Sequence, residues 1–316
     1  MFRYFLILIK RKLFRKRYLI ILVFLSGFYF YGQLFQLPDG KLHVRFLDVG
    51  QGDATLITTA GGSNVLIDGG PNNKVLGLVN QFIPSSDRRI DLLFLSHPDA
   101  DHVSGLVPVL KSYDVKNIVY EPFPKESKIY KEFLSAVEEE KRGGAKVTDP
   151  NTGDVISIGD LKLKVVWSKD AQEEVLGAST GVSKEDFLDS KKSSSGSLNS
   201  NDVSLVLKVT YQDLDVLLTG DESNREADAM MSQSADLESI EVYKAAHHGS
   251  KNGFSEALLG MIKPSLTVIS VGRNNSYGHP YAGLLDYLYG VGIRVLRTDL
   301  NGTIDVVSDG KSWGIK

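Results

Sequence analysis

His97-Pro98-Asp99-Ala100-Asp101-His102 places four potential metal donors within six residues, directly after the apolar run at 92–96. Side chains of this kind cannot all turn into a core. Their desolvation would cost roughly several kcal/mol each unless they were paired or gripped a cation. A strand pattern before the motif and a helical pattern at 103–113 after it would bury much of the segment, which a merely solvated polar turn does not require. The spacing suits two adjacent ions, with His97 and Asp99 serving one and Asp101 and His102 the other.

The remaining histidines gather in the same way. Five of the six lie in short polar motifs that follow apolar strands, and strand ends along one sheet edge are where distant loops converge. Leu217-Leu218-Thr219-Gly220-Asp221 ends a strand in a carboxylate able to bridge two cations. Lys244-Ala245-Ala246-His247-His248-Gly249-Ser250 ends another in paired imidazoles. Alternation along a strand predicts that one of the pair binds metal and the other meets substrate. Tyr277-Gly278-His279-Pro280 adds a lone histidine whose weight comes from its company. Spacing leaves open which of His247, His248 and His279 is the metal ligand.

Around these motifs, short apolar strands are expected at 42–49, 54–59, 64–67, 91–95, 116–120, 161–167, 204–210, 215–218, 240–244, 265–271, 293–297 and 303–307. Helices are expected at 103–113, 128–142 and 282–289. The polar stretch 168–200 is expected as a flexible insertion. Alternating β and α elements argue for an α/β sandwich in one domain, 39–316. The chain has 316 residues and no cysteine, which excludes a disulfide scaffold, a thiolate metal site and a cysteine nucleophile.

The first 38 residues differ from the rest, with seven basic residues and no acidic one. Residues 1–17 are expected as a basic cytoplasmic terminus, and 18–36 as a transmembrane anchor. Eighteen helical residues cover roughly 27 Å, close to the ~30 Å of a bilayer core. The basic cluster predicts an inside amino terminus and an extracytoplasmic catalytic domain in the cell membrane. The remainder carries 29 basic and 39 acidic residues, a net charge of −10, so it does not attract polyanions by charge alone.

The HxDxDH motif, Leu66-Ile67-Asp68-Gly69-Gly70, the Thr-Gly-Asp221 triplet and the HHGS motif together resemble the metallo-β-lactamase superfamily. Phe46-Leu47-Asp48-Val49-Gly50-Gln51-Gly52-Asp53-Ala54, the run from Asn201 to Leu207 and Gly278-His279-Pro280 resemble, more narrowly, the hydrolase domain of ComEC-type competence proteins, which internalise DNA. The resemblance runs from residue 42 to the carboxyl end. It implies a four-layer αβ/βα sandwich, here preceded by one transmembrane helix, with two divalent ions, Zn or Mn. His97, Asp99, Asp101, His102, Asp202, Asp221, His247 and His248 are the implied donors, braced by Asp48, Asp53 and Asp68. Oxygen donors at Asp99 and near Asn201-Asp202, where superfamily members usually carry histidine, favour harder cations.

The expected function is a membrane-anchored phosphodiesterase or nuclease acting on extracellular DNA. Asp101, His248 and His279 would handle protons, and Lys244, Ser250 and Asn201 would hold substrate. The expected partners are a phosphodiester such as single-stranded DNA, the membrane, and a separate channel protein, since the many-helix channel of ComEC-type proteins is missing here. An envelope phosphodiesterase of the teichoic-acid phosphorylcholine type and a non-catalytic anchored partner of an uptake channel are the alternatives.

Overall fold

This computed structural model describes residues 38–168, 204–233 and 237–316, together with Tyr18, Ile21, Val23, Ser26 and Gly27. The chain enters through strand β1 (Leu42–Phe46), β2 (Thr55–Thr58) and β3 (Asn64–Ile67), then helix α1 (Lys74–Phe82). β4 (Arg89–Ile90), β5 (Leu92–Phe94), α2 (Ala100–Val103), α3 (Leu106–Leu110), β6 (Asp114–Val115), β7 (Asn117–Val119), α4 (Lys128–Arg142) and β8 (Lys146–Thr148) follow. The second half holds β9 (Val155–Ile158), β10 (Leu161–Trp167), β11 (Val206–Tyr211), β12 (Leu214–Leu218), α5 (Asn224–Gln233), β13 (Val242–Lys244), α6 (Glu256–Ile262) and β14 (Leu266–Ile269). α7 (Ala282–Gly290), β15 (Arg294–Arg297), α8 (Thr298–Asn301), β16 (Ile304–Ser308) and β17 (Trp313–Ile315) complete it.

Two mixed sheets face one another, ordered β17-β16-β1-β2-β3-β5-β7-β8 and β15-β14-β13-β12-β11-β10-β9. Period-two alternation builds the layers. Leu42, Val44 and Phe46 of β1 enter the core between the sheets, as do Leu207, Val209 and Tyr211 of β11. On the opposite face of β1, His43 and Arg45 both pair with Asp305 of β16, and the Arg45 guanidinium lies 4.4 Å from the centre of the Phe82 ring. A second core seals the first sheet under α1, α3 and α4. A third seals the second sheet under α5, α6 and α7. The α/β sandwich is therefore four layers deep.

Strands β3, β5, β7 and β8 run parallel, as do β12, β13, β14 and β15. Parallel strands carry their loops at the same carboxyl edge, where sites form in α/β sheets. Asp68 follows β3, the HxDxDH motif follows β5, Asp221 follows β12 and the paired histidines follow β13. Topology thus delivers all four motifs to one rim.

The helix expected at 103–113 is instead two short helices broken at Ser104-Gly105. The Gly105 N–H leaves the helical ladder to donate to the Gly70 carbonyl, and the His102 carbonyl accepts from Gly69 N–H. The approach is close enough that a Cβ on Gly105 would lie 1.9 Å from the Gly69 oxygen, while one on Gly52 would lie 2.2 Å from the Asp101 oxygen. Backbone therefore clamps the metal-donor loop from both sides. The amphipathic helix α4 has the expected bounds, capped by the Ser127 side chain accepting from Tyr130 N–H.

The transmembrane anchor expected at 18–36 is not upheld. Among the described residues, no helix is long and apolar enough to cross a membrane. Apolar length and flanking basic charge match a bilayer in arithmetic without establishing a span. The fold of the described residues is the α/β sandwich, and none of their helices is long and apolar enough to span a bilayer. The cell-membrane location and the inside-to-outside orientation lose their basis with it. Apart from the five residues named above, that stretch lies outside the described residues, as do the basic terminus 1–17 and, except for Ser168, the insertion at 168–200.

Candidate metal centre

Asp101, His102, Asp221 and His248 offer one donor atom each, all within 4.8 Å of one another, and Asp53, Asp68 and His102 form a second such group. These two clusters of histidine and aspartate are consistent with a dinuclear divalent-metal site. His102 belongs to both groups, and within the first the Asp221 carboxylate faces histidines on two sides. One oxygen lies 3.2 Å from His102 Nε2 and 3.6 Å from His248 Nε2. The other lies 3.9 Å from His97 Nε2 and 3.7 Å from His247 Nε2.

Burial makes this convergence informative. His97, His102, Asp221 and His248 are at most 2% exposed. His97 Nε2, His102 Nε2 and one Asp221 oxygen have no hydrogen-bond partner, although buried polar atoms are rarely left unsatisfied. Cations coordinated there would satisfy all three, so the residues present fit divalent ions.

The far sides of the imidazoles are fixed. His102 Nδ1 lies 2.9 Å from an Asp68 oxygen. Ser96 donates to the same carboxylate through N–H at 2.8 Å and Oγ at 2.7 Å. His248 Nδ1 lies 3.0 Å from the Ser270 carbonyl and 3.3 Å from Asp53. Such partners set the tautomer and aim Nε2 at the metal position. Asp68→Asn, which removes the acceptor charge while keeping the shape, is expected to weaken metal affinity about 10- to 100-fold. Titration against a competing chelator checks it, and unchanged affinity would remove Asp68 from the supporting role.

The pair at 247–248 does not alternate as strand residues would, because β13 ends at Lys244. Both histidines take left-handed backbone, φ 49° and 55°, in a tight turn that brings both rings toward Asp221. His248 is buried and His247 partly open. His279 stands beside them, ring centres 5.9 Å from His247 and 6.3 Å from His248.

Other expected residues have different neighbours. The Asp99 carboxylate pairs with Lys125 Nζ. Lys244 is 2% exposed; its ammonium contacts Asp53 and donates to the Gly220 carbonyl at 2.8 Å. Ser250 Oγ accepts from Gly253 N–H at 3.0 Å. Asp48 accepts from Gly50 N–H and pairs with Lys74. Asn201 and Asp202 lie outside the described residues. Sequence reading passed over Ser96 and Ser204, whose Oγ atoms lie 3.0 and 3.5 Å from His97 Nδ1. Ser204 also accepts from Asp221 N–H. Its place two residues after Asp202 was the available signal.

Electrostatics separates the imidazoles. Burial pushes His97 down to about 4, assisted by repulsion from His102, so it is a neutral donor at pH 7. Burial also opposes charge on His102 and His248, but Asp221 with Asp68 holds His102 well above its ordinary value. Asp221 and Asp53 raise His248 to about 9. Asp221 and Asp101 are conversely held low, since the neighbouring histidines outweigh burial. An ion must therefore displace protons from His102 and His248. Apparent metal affinity should rise with pH from neutrality to about 9, with proton release detectable by calorimetry in buffers of different ionisation enthalpy. In the metal-free chain the sign is opposite. Raised histidines contribute stability below their unfolded value of about 6.5, and that contribution is lost as pH rises toward the folded values. A metal affinity independent of pH would contradict this charge pattern.

The Metallo-beta-lactamase superfamily model matches residues 47–176. ComE operon protein 3 of Bacillus subtilis is 31% identical over 69% of this chain and 24% of its own. Recombination protein 2 of Haemophilus influenzae is 26% identical over 86% of this chain and 29% of its own. Among solved structures, the metallo-beta-lactamase fold protein YhfI of Bacillus subtilis superposes with TM-score 0.50 at 11% identity, covering 81% of this chain and 95% of that one. The chain is a metal-dependent hydrolase of the metallo-beta-lactamase superfamily. This hydrolase is related at moderate identity to competence proteins and spans about a quarter to a third of the length of those curated relatives. Readings that needed an anchor are corrected along with it: extracellular DNA met from the membrane, an envelope ester, and an anchored, non-catalytic partner of a channel. The hydrolase has the donor set of a catalyst, and no membrane or channel partner is supported among the described residues.

Proposed function

We propose that this chain hydrolyses phosphodiesters with two divalent ions, Mn or Zn, in a single hydrolase domain spanning 39–316. The observation that carries the reading is Asp221, one carboxylate facing donors on two sides. Asp101, His102 and His248 would hold one ion with one of its oxygens; His97 and His247, with Asp99 and Asp202, would hold the other. Ions so placed supply Lewis-acid polarisation of the phosphoryl oxygens and acidify a water. The oxygen-rich donor set favours hard cations and hard phosphoryl ligands over softer ones.

The protein groups divide the remaining work. Asp101, kept ionised by His248 and His102, takes the proton of the attacking water. His279, which stands outside the clustered donors, gives a proton to the leaving oxygen. Ser250 and Asn201 orient the substrate. Lys244 acts through its charge and its grip on Gly220, the residue before the shared aspartate. The match to one segment of longer proteins, a competence protein among them, supports a likeness to the ComEC-type hydrolase domain.

The test is metal analysis of the full chain with assays on small phosphodiesters, phosphomonoesters and carbon esters in Mn²⁺ and Zn²⁺. Two ions per chain and preference for diesters are expected. A chain that cleaves carbon esters but no diester would end the reading.

A further inference from the structure

The loop that joins β7 to α4 brings a lysine to the donor loop. β5 and β7 are parallel neighbours, so the residues after β7 meet the segment that follows β5. Pro122 and Pro124 fix their own backbone φ. Phe123 N–H donates to Tyr130 Oη at 3.2 Å, and Lys125 N–H donates to the Phe123 carbonyl at 2.8 Å. Tyr130 is itself buried in α4. Held in this way, Lys125 sets its ammonium on the Asp99 carboxylate.

The pairing changes what Asp99 does. Asp99 stands at the N-cap of α2, yet its side chain makes no capping hydrogen bond, although aspartate is among the best caps. The carboxylate is turned to Lys125 instead. Asp101, His102, Asp221 and His248 already bring their donor atoms together, whereas Asp99 belongs to neither gathered group. Its charge still reaches the other side of the site. Burial dominates the basicity of His97, and Asp99 is among the carboxylates that oppose it. One metal position is therefore assembled, and the other has a donor in the grip of an ammonium. Both partners of that pair are about a quarter open to solvent, 27% for Lys125 and 24% for Asp99. Ion pairs so open are weak, and a divalent ion can displace this one.

We propose that Lys125 is a tethered cation that competes with the second metal ion for Asp99, so that the two positions fill in order. The inference rests on Asp99 being a donor, as in the reading above. The position of Asp101, His102, Asp221 and His248 loads first. That of His97 and Asp99 loads only as the ammonium leaves. The sign follows from charge, because an ammonium on the carboxylate both occupies the donor and repels an incoming cation. An ammonium present roughly nine times in ten lowers the apparent affinity about 10-fold. The exchange is a side-chain movement, since the backbone of the donor loop is clamped.

The experiment strips the full chain with a chelator and titrates it with Mn²⁺ by calorimetry. Wild type, Lys125→Gln, Lys125→Arg, Asp99→Asn and the Lys125→Gln/Asp99→Asn double variant are compared. Wild type is expected to bind two ions unequally. Lys125→Gln should tighten the weaker one about 10-fold and leave the stronger unchanged, which also verifies that the variant is folded. Lys125→Arg keeps the charge and should stay near wild type. Asp99→Asn should weaken the second ion, and in that background Lys125→Gln should have no further effect. If wild type takes one ion only, a second ion in Lys125→Gln supports the competition, and its continued absence overturns it. An unchanged or weakened second ion in Lys125→Gln also overturns it, as does equal tightening with and without the Asp99 carboxylate. If Asp99→Asn itself changes nothing, Asp99 is not a donor, and both that part of the proposed function and the competition fall. If Asp99→Asn weakens the second ion while Lys125→Gln is silent, the competition alone falls.

Discussion

Asp221→Asn is expected to lower hydrolysis by about three orders of magnitude while leaving the secondary structure in place. The substitution preserves shape, and the hydrogen bond from Asp221 N–H to Ser204 belongs to the backbone. What disappears is the charge that faces His97, His102, His247 and His248 together. An amide offers one neutral oxygen where two anionic ones stood, so both metal positions weaken at once. His102 and His248 also lose the largest influence raising their basicity. In the metal-free variant both should titrate closer to neutrality. Metal content, kcat/KM and NMR titration of the imidazoles read these effects separately. Retention of two tightly held ions with activity near wild type would show that Asp221 is not the shared ligand.

Phe94→Ala is expected to cost about 3–5 kcal/mol of stability. Phe94 is fully buried between the sheets, on the strand that leads into the donor loop. Its ring also lines a small internal space at the foot of the site, with Asp53, Asp68 and Lys244. Removing it leaves a void between two sheets that cannot close independently, and exposes the Asp53–Lys244 pair to invading water. Urea unfolding of the metal-free chain should show a lower midpoint with an unchanged slope. A midpoint equal to wild type would mean that the sheets can collapse onto the gap.

The donor types and the rim they share were legible because they occupy consecutive positions after apolar runs. His97 to His102, Asp221 and the paired histidines were expected on one sheet edge from their places after apolar runs alone. The allocation within the pair was not legible. Alternation assumes that the strand continues, whereas β13 stops at Lys244 and the histidines sit in left-handed backbone. The Lys244–Asp53 pair joins residues far apart in the chain, and nothing local announces it. The break at Gly105 was equally hidden, since its cause is the Gly69 and Gly70 backbone lying against it. The anchor expected at 18–36 rested on length and composition alone, a weaker warrant than the donor motifs, which had several independent parts.

The clamp on the donor loop bears on how ions enter and leave. With Gly52 and Gly69 seated against it main chain to main chain, the segment has no slack to swing outward. Coordination geometry is thus settled when the polypeptide folds, before any cation arrives. Stripping the ions with a chelator should leave a cooperative native protein, unlike a zinc finger, which collapses without its ion. Reloading should then be fast, governed by dehydration of the incoming cation rather than by refolding.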